Sequence, residues 1–284
     1  MQLFNKILVP IDFSSISKIG VQRAIDTALK CNSEELHLIS VVDINTIGYL
    51  VAVEPGIMMN YASLKDDLSE AENKILAIKK EIESESKAKI YCKVVSGNLT
   101  NAINSYLNEN DINLVVMATS GTDGIKEYIF GSNSQRLASE IDCPILTIHS
   151  NSSHNIYEKI ILPVEDFYPK NKLTFAIELA KIFDSEIHLV CLKTQYEDSN
   201  KVTESILFRI LEELKTNEIK NKIFVSGGNN ITDSILRYSE KEAIDLILVN
   251  PGEESTLTGK IFNALGGQII NHAEAPILTI KRDL

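Results

Sequence analysis

The sequence lacks any apolar run of the roughly 18 residues that a membrane-spanning helix needs. Its first residues lead directly into a short apolar segment, Lys6–Val9, without the layout of a secretory signal peptide. Together these two absences predict a cytoplasmic protein that has no membrane partner.

The sequence also lacks a surplus of basic residues. It has 28 Lys and Arg against 39 Asp and Glu, and the formal net charge is 28 − 39 = −11. A nucleic-acid partner requires a basic surface, so this composition argues against one. A single nucleotide needs only a few local donors and is not excluded.

Clustered cysteines and histidines are missing as well. No two cysteines form a Cys-x-x-Cys pair, which favours buried, reduced thiols over a metal or redox site. The five histidines are dispersed. His37 and His188 fall inside apolar segments at equivalent places, so we expect core or sheet positions for them. The cysteines are Cys31, Cys92, Cys143 and Cys191.

Segments of the first half recur in the same order in the second half. Asn5–Asp12 recurs as Glu158–Glu165, with an offset of 163 − 10 = 153 residues at the prolines. Cys143–Ile148 recurs as Ala275–Ile280, with an offset of 276 − 144 = 132 residues. Such ordered recurrence predicts a tandem duplication.

We therefore predict two domains, residues 1–150 and 155–284, joined by a polar linker. The second is shorter because it lacks most of an irregular segment, Asp43–Tyr61, which is a candidate mobile flap in the first.

Short apolar runs alternate with helix-like segments in both halves, which is typical of βαβ units. The predicted fold is α/β, with an open five-stranded parallel sheet of order 3-2-1-4-5 and helices on both faces in each domain. Asp12, Ser14 or Ser15 opens the first helix. The predicted strands are 6–9, 36–42, 89–95, 113–118 and 144–149, then 159–162, 186–192, 221–226, 244–249 and 276–280. The predicted helices reach from residues 12–15 to residues 31–32, then cover 64–82, 100–107, 132–140, 169–183, 201–217 and 231–240, with a last one near 261–272.

The segment Val115–Ser134 predicts a strand, a glycine-bearing loop and the start of a helix. Ser132 or Ser134 can cap that helix. Unpaired backbone N–H groups and the helix dipole make such a start suitable for phosphate. An ordinary strand-to-helix connection is the alternative for this loop taken alone.

A second feature points to the same place. In an open parallel sheet, ligands bind beyond the carboxyl ends of the strands where the strand order reverses. There the sequence places Pro10, Ile11 and Asp12 beside the glycine loop. Asp12 can accept hydrogen bonds from a base amino group or a ribose hydroxyl. It can also serve as a helix N-cap, and the two roles can coexist.

Taken together, these residues resemble the nucleotide-binding type of universal stress protein domain, present here in tandem. The loop of that family reads Gly-x-x-Gly, nine residues, then Gly-Ser or Gly-Thr. Gly121, the nine residues 122–130 and Gly131-Ser132 match it, and Ala118 stands where the first glycine is usual. Pro10-Ile11-Asp12-Phe13-Ser14 resembles the end of the family's first strand.

The resemblance implies that ATP, ADP or AMP binds in the first domain, with or without Mg²⁺. In that family the aspartate faces the adenine, and the backbone at the position of Val41 meets the base. A methyl group at Ala118 is tolerated if its φ is negative and blocks the site if φ is positive. The implied binding residues are Pro10, Ile11, Asp12, Val41, Met117, Ala118, Gly121, Gly131, Ser132, Asn133 and Ser134.

The second domain departs from this pattern. Gly131-Ser132 correspond to Asn263-Ala264, and Gly121 falls on Glu253, which Glu254 follows. Two acids at the phosphate position repel an anion. Glu165 or Asp166 replaces Asp12. We therefore expect that the second nucleotide site is lost and that its domain is a structural partner or an anion-free interface.

The family packs two such domains about a pseudo-two-fold axis through their last strands, here Ile145–Ile148 and Ile277–Ile280. One chain would then imitate the family's homodimer, and further pairing of chains is compatible with it. The implied function is a nucleotide-dependent sensor or signalling module in the stress response, with a protein partner that the sequence does not identify.

The sequence shows no nucleophile–base pair or paired acids, so we expect no enzyme, or at most weak ATP hydrolysis. Two alternatives stay open. One is an interaction scaffold without nucleotide. The other is a slow nucleotide-dependent enzyme, for which Lys126 is the only cation in the loop.

Overall fold

The computed structural model describes residues 3–42, 57–119, 140–149, 157–164, 167–193, 197–227, 231–250 and 273–281. The chain divides into two compact units. The first holds the described residues up to Thr119 together with residues 140–143, and the second holds those from Pro144 onward. Among the described helices, none is long and apolar enough to cross a membrane.

The first unit is a parallel sheet whose strands alternate with helices along the chain. Its strands lie in the order β3-β2-β1-β4, which confirms the predicted order for these four. β1 lies between β2 and β4, and its apolar run is buried with Ile7 and Leu8 fully covered, because crossover helices cover the faces of a parallel sheet. The elements are β1 (Lys6–Pro10), α1 (Ser15–Cys31), β2 (Glu35–Val42), α2 (Ile57–Ile82), β3 (Lys89–Ser96), α3 (Leu99–Asn110) and β4 (Leu114–Thr119).

Ser14 determines where α1 begins. Its Oγ accepts a hydrogen bond from the backbone N–H of Ser17 at 3.1 Å, which is the standard N-cap contact. Of the three predicted candidates, Asp12, Ser14 and Ser15, the cap is therefore Ser14.

A glycine and an asparagine set the start of α3. Gly97 has φ +139°, a conformation open to glycine, and its N–H donates to the Val42 carbonyl at 2.9 Å. The Oδ1 of Asn98 then accepts from the N–H groups of Thr100 and Asn101. Asn98 is therefore the N-cap of α3.

Helix α2 begins earlier than the sequence analysis predicts. The irregular segment was expected to extend through Tyr61, but α2 begins at Ile57. A Pro-Gly pair immediately precedes this residue, and the unbranched methionines that follow it favour a helix. The prediction was wrong at this end because it relied on apolar spacing, which starts at Leu64. Residues 43–56 lie outside the described residues.

The second unit repeats the alternation and adds one strand from the first sequence repeat. Its order is β8-β7-β6-β9-β10-β5, so the predicted 3-2-1-4-5 order of the second repeat is confirmed. Its elements are β5 (Ile145–His149), β6 (Lys159–Val164), α4 (Lys170–Phe183), β7 (Glu186–Lys193), α5 (Glu197–Thr216), β8 (Asn221–Gly227), α6 (Ile231–Glu242), β9 (Leu246–Val249) and β10 (Ile277–Thr279).

The last strands of the two repeats pair as predicted, but antiparallel, so the sheet of the second unit is mixed rather than parallel throughout. The pairing is symmetric about Leu146 and Leu278, which are 2% and 1% exposed. Each strand covers the edge that the other would leave open. The paired residues are Ile277 with Thr147, Leu278 with Leu146, and Thr279 with Ile145.

A buried histidine lies on β2, as predicted. His37 is 2% exposed. Its Nδ1 lies 2.9 Å from the Tyr106 hydroxyl, and its Nε2 lies 2.8 Å from a Glu35 carboxylate oxygen. Because a carboxylate only accepts, the neutral ring carries its proton on Nε2 and accepts from the tyrosine at Nδ1.

The second unit contains the same arrangement on β7. His188 is 1% exposed, with its Nδ1 2.9 Å from the Tyr238 hydroxyl and its Nε2 2.9 Å from Glu186. Both rings have their hydrogen bonds satisfied within the protein, so each histidine is a core residue of its sheet rather than a metal ligand.

None of the four cysteines forms a disulfide. Burial raises the pKa of the Cys31 thiol to about 12 and that of Cys191 to about 11. Burial also raises the pKa of Cys143 to about 12 and that of Cys92 above its usual value. The expectation of buried thiols is therefore met at Cys31 and Cys191, whereas Cys92 and Cys143 are half-buried. The raised pKa values mean that none is a reactive thiolate at neutral pH.

Candidate functional site

The carboxyl end of β1 lies between those of β2 and β4, because β1 pairs in parallel with both. The chain passes from β1 to β2 on one side and reaches β4 on the other, so the strand order reverses at β1. The predicted residues Pro10, Val41, Met117 and Ala118 all lie in the last part of these strands. These four predicted residues therefore lie at the same edge of the sheet.

Ile11 fixes the chain just beyond β1. Its N–H donates to the Ile39 carbonyl at 2.8 Å, and its side chain is 4% exposed. Asp12 follows with an exposed side chain. Ile11, which holds the end of β1, is therefore buried, whereas Asp12, the predicted partner of the adenine, is exposed.

The carboxylate of Asp12 stabilises the turn into α1. Its Oδ1 accepts from the N–H of Ser14 at 3.0 Å and from the Ser14 hydroxyl at 2.6 Å. Phe13, between them, has φ +64°, an uncommon conformation for an aromatic residue. This is an Asx-type turn, in which the side chain holds a strained backbone. Asp12 thus has a structural role one turn before the helix, and Oδ2 takes no part in these two bonds.

Asp12 is a carboxylate at neutral pH. Burial raises its pKa, but the hydrogen bonds from the Ser14 hydroxyl and N–H, with smaller ones from Ser17 and its own backbone, outweigh this effect and lower it. A group with a lowered pKa is a good acceptor and a poor proton shuttle near neutral pH. Its chemistry suits recognition of an amino or hydroxyl group.

Ala118 meets the condition that the sequence analysis set for it. It lies in the extended backbone of β4 and is not among the described residues with positive φ. Its methyl group packs against Gly20 of α1, where an added Cβ would come within 3.5 Å of the Ala118 Cβ. The absent side chain of Gly20 provides the room for the methyl group.

Gly20 and Lys74 were missed by the sequence analysis. Gly20 could have been noticed, because an isolated glycine inside a helical pattern often marks a close packing contact. Lys74 lies on α2 with its ammonium 5.6 Å from the centre of the Phe13 ring, which places a cation near the end of β1. Its sequence position on the polar face of a long helix carries no such signal, and its ion pair with Glu70 is exposed.

Replacing Gly20 by alanine is expected to lower the free energy of unfolding by about 1 kcal/mol. A Cβ there would approach the Ala118 backbone nitrogen to 3.3 Å, which forces a shift that outweighs the gain in helix propensity. Urea denaturation measures the effect. Ser105→Ala, at an exposed position of α3, is the control and should change stability by less than about 0.5 kcal/mol. A stabilised Gly20→Ala protein would contradict the tight contact.

The phosphate end of the predicted site lies outside the described residues. This applies to Gly121, Gly131, Ser132, Asn133 and Ser134. It also applies to the altered positions of the second repeat, which are Glu165, Asp166, Glu253, Glu254, Asn263 and Ala264.

Comparison with known sequences identifies the class. Residues 3–149 match the universal stress protein family, and the chain belongs to this family. It is 29% identical over 146 residues to universal stress protein MJ0531 of Methanocaldococcus jannaschii, covering 51% of this chain and 82% of that protein. It is 26% identical over 151 residues to universal stress protein YxiE of Bacillus subtilis, covering 51% and 99%.

Solved structures extend the likeness in fold to both halves. A universal stress protein from Archaeoglobus fulgidus superimposes with a TM-score of 0.76 at 16% identity, covering 98% of this chain and 99% of that one. A putative universal stress protein from Pseudomonas aeruginosa gives 0.67 at 16% identity, with coverage of 99% and 95%. The tandem α/β architecture is thus one that solved proteins share.

Proposed function

We propose that the first repeat binds ATP or a related adenine nucleotide at the carboxyl ends of β1, β2 and β4, and that the protein is a nucleotide-dependent sensor in the stress response. In this proposal residues 1–150 hold the nucleotide and residues 155–284 form a repeat with an altered loop. The four cysteines form no disulfide, which supports a reducing, cytoplasmic setting.

One observation carries the proposal. The exposed carboxylate of Asp12 and the negative-φ Ala118 lie at neighbouring strand ends, beside a loop whose sequence suits phosphate. Asp12 offers an acceptor to an adenine amino group or a ribose hydroxyl, and Val41 offers backbone next to it. The glycine-rich segment Gly121–Ser134 would then hold the phosphates, with Mg²⁺ as an accompanying ion.

The described geometry supports binding rather than turnover. Asp12 is held by Ser14 with a lowered pKa, so it is poorly matched to proton transfer near neutral pH. We therefore assign signalling through bound nucleotide, with the second repeat as structural partner and the chain free to associate with a further copy or with another protein.

Mass spectrometry of freshly purified, denatured protein tests the proposal, and an adenine nucleotide is the expected result. Added ATP with Mg²⁺ should also raise the thermal midpoint. If no nucleotide co-purifies and added ATP causes no thermal shift, the proposal is overturned in favour of a scaffold without nucleotide. Release of pyrophosphate on incubation with ATP would indicate an enzyme instead.

Asp12→Asn is expected to weaken ATP binding by about tenfold to a hundredfold, because a hydrogen bond to a charged group is lost. The amide keeps an oxygen that can accept from Ser14, so the turn into α1 should survive. Asp66→Asn, at an exposed position of α2, makes the same charge change away from the site. Calorimetric titration should show the loss for the first variant only, and equal affinities for the two would contradict the assigned role of Asp12.

A further inference from the structure

Strand β8 forms one edge of the sheet in the second unit, and among the described strands it pairs only with β7. The carbonyl of Lys220 accepts from the N–H of Ile187 at 2.9 Å, so Lys220 turns its backbone groups towards β7. Successive residues of a strand alternate in this direction. Asn221, Ile223 and Val225 therefore turn their N–H and C=O groups outward, where a further strand would pair with them.

Two of these outward residues also expose apolar side chains. Ile223 and Val225 are 45% and 51% exposed, although both are β-branched. Between them, the ring of Phe224 stacks on Tyr238 of α6, with the ring centres 4.2 Å apart. Because side chains alternate along a strand, Ile223 and Val225 lie on the face of the sheet opposite α6.

Helix α5 lies on the same face as these two side chains but does not cover them. The connection from β7 to β8 crosses the sheet in one direction and that from β8 to β9 in the other, so right-handed crossovers place α5 and α6 on opposite faces. The Arg209 guanidinium of α5 lies 4.0 Å from the centre of the Tyr168 ring, and the Tyr168 hydroxyl donates to Glu213. Since Tyr168 follows β6, these contacts hold α5 on the side of β6, away from the edge.

The first unit covers the corresponding face. Counting from the edge-strand partner of each buried histidine, Cys92 of β3 corresponds to Ile223 of β8. Helix α2 lies over Cys92, whose thiol donates to the Ile75 carbonyl at 3.8 Å. Cys92 and Val94 are both half-buried, whereas Ile223 and Val225 at the same places are exposed. The exposed apolar edge is therefore a property of the second repeat and not of the fold.

The charges beside this edge are neutralised within the unit. Lys222 Nζ lies 2.6 Å from a carboxylate oxygen of Glu242, and Lys220 Nζ lies 2.9 Å from one of Asp184. None of the three outward residues of β8 named above is charged. Free edges of natural sheets usually carry charged residues that prevent pairing, so β8 lacks this protection where a partner would contact it.

A second copy of this chain offers a strand that fits this edge. When two β8 strands run antiparallel about a two-fold axis, Ile223 of each can lie opposite Val225 of the other. Directly opposite β-branched side chains on one face stabilise a strand pair. In this register Lys222 lies opposite Ser226, because 223 + 225 = 222 + 226, so no like charges meet. A shift of two residues would instead place Asn221 opposite Val225 and lose the apolar match.

The chain already joins two strand edges in this way. β5 and β10 are equivalent strands of the two repeats, and they pair antiparallel about Leu146 and Leu278. A symmetric pair of β8 strands would repeat that geometry between two chains, in the closed two-fold form that is commonest among oligomers.

We propose that two copies of this chain associate through antiparallel pairing of their β8 strands, with Ile223 of each opposite Val225 of the other. The edge has 7 residues, fewer than the roughly 20–30 that each partner contributes to a standard interface. The dimer is therefore weak, with a dissociation constant of about 10–100 µM. The proposal goes beyond nucleotide binding by the first repeat and does not depend on it.

Sedimentation equilibrium of the full chain tests the association. The average mass should rise from that of the monomer towards that of the dimer between about 2 µM and about 500 µM protein, a range that spans the expected dissociation constant. Salt at about 0.15 M screens the repulsion between two chains of net charge −11. A chain that stays monomeric over this range would overturn the proposal and leave the β8 edge to an extended segment of another protein.

A matched pair of lysine variants assigns the association to β8. Val225→Lys should weaken it at least about tenfold, because an ammonium would be buried opposite Ile223 of the second copy. Val202→Lys makes the same change at a residue that is 46% exposed on α5. It lies seven residues, or about two turns, before Arg209 and so on the side of α5 nearest β6. This variant should associate like the unmodified chain, and equal association of the two variants would overturn the proposal.

Cysteine variants test the register and keep the test decisive if Val225→Lys fails to fold. Directly opposite residues have Cα atoms about 5.5 Å apart, which a disulfide can bridge, whereas diagonal neighbours are about 7–8 Å apart. A mixture of the Ile223→Cys and Val225→Cys proteins should therefore cross-link under oxidised glutathione faster than either protein alone. The unmodified chain gives the background from its four native cysteines.

Cross-linking of the Ile223→Cys protein alone at the rate of the mixture, or none above background in the mixture, would overturn the proposed pairing. All of these variants lie in the second repeat, and the measurements are made without added nucleotide. Failure of nucleotide binding by the first repeat and failure of this pairing are therefore separate results.

Discussion

Replacing Leu146 by aspartate is expected to lower the free energy of unfolding of the second unit by about 4 kcal/mol or more. Leu146 lies at the centre of the β5–β10 pair opposite Leu278 and is 2% exposed. An aspartate there loses the apolar contact and buries a charge at the pairing of the two strands. Urea denaturation, followed by circular dichroism, measures the change.

Leu76→Asp provides the matched control, because this leucine is 55% exposed on α2. It should cost less than about 1 kcal/mol. The double variant Leu146→Asp/Leu278→Lys should recover part of the loss, since the two side chains are cross-strand partners. A single Leu146→Asp protein as stable as the Leu76→Asp protein would show that the pairing contributes little.

The free energy of unfolding is expected to fall as the pH drops below about 6.5, the usual histidine pKa. Burial lowers the pKa of His37 and of His188, and the neighbouring Glu35 and Glu186 only partly offset this effect. Between the lowered folded-state pKa and the usual unfolded value, the unfolded chain binds more protons. The contribution of each histidine to the free energy of unfolding is therefore fully present above about pH 6.5. It is lost as the pH falls towards the folded-state pKa.

The largest contribution is about 1.4 kcal/mol per pH unit for each ring, or about 2.7 for both. The double variant His37→Gln/His188→Gln should flatten the pH dependence of stability between about pH 5 and 6.5 relative to the unmodified chain. Each single variant should remove about half of the pH dependence that the double variant removes. Denaturant midpoints at a series of pH values measure it, and an unchanged slope in the double variant would contradict the assignment.

The apolar pattern of the sequence predicts most of the fold. Strands buried on both faces, such as β1 and β6, are continuous apolar runs with a defined length, and their ends are right to within two residues. The pairing of β5 with β10 was implied by the resemblance to the family, and the repeat identified the two strands that take part in it. The sequence predicts the starts of helices less sharply than the ends of strands, because Asp12, Ser14 and Ser15 can all act as an N-cap.

The candidate site was only partly predictable. Topology places Asp12 and Ala118 at neighbouring strand ends. The isolated glycine in the α1 pattern indicates a close contact at Gly20, but it does not reveal that Ala118 is the partner. The loop 120–134 lies outside the described residues, so its role in phosphate binding stays a prediction.

The pairing of β5 with β10 has a consequence for the folding of the chain during its synthesis. Leu146 and Leu278 are partners although 278 − 146 = 132 residues separate them. At the usual rate of about 5–20 residues per second, the ribosome makes β5 about 7–26 s before β10. During that time β5 has no β10 to cover its edge, which is the kind of exposed edge that recruits other chains. The pairing of β5 with β10 in the second unit therefore forms only after β10 has been made.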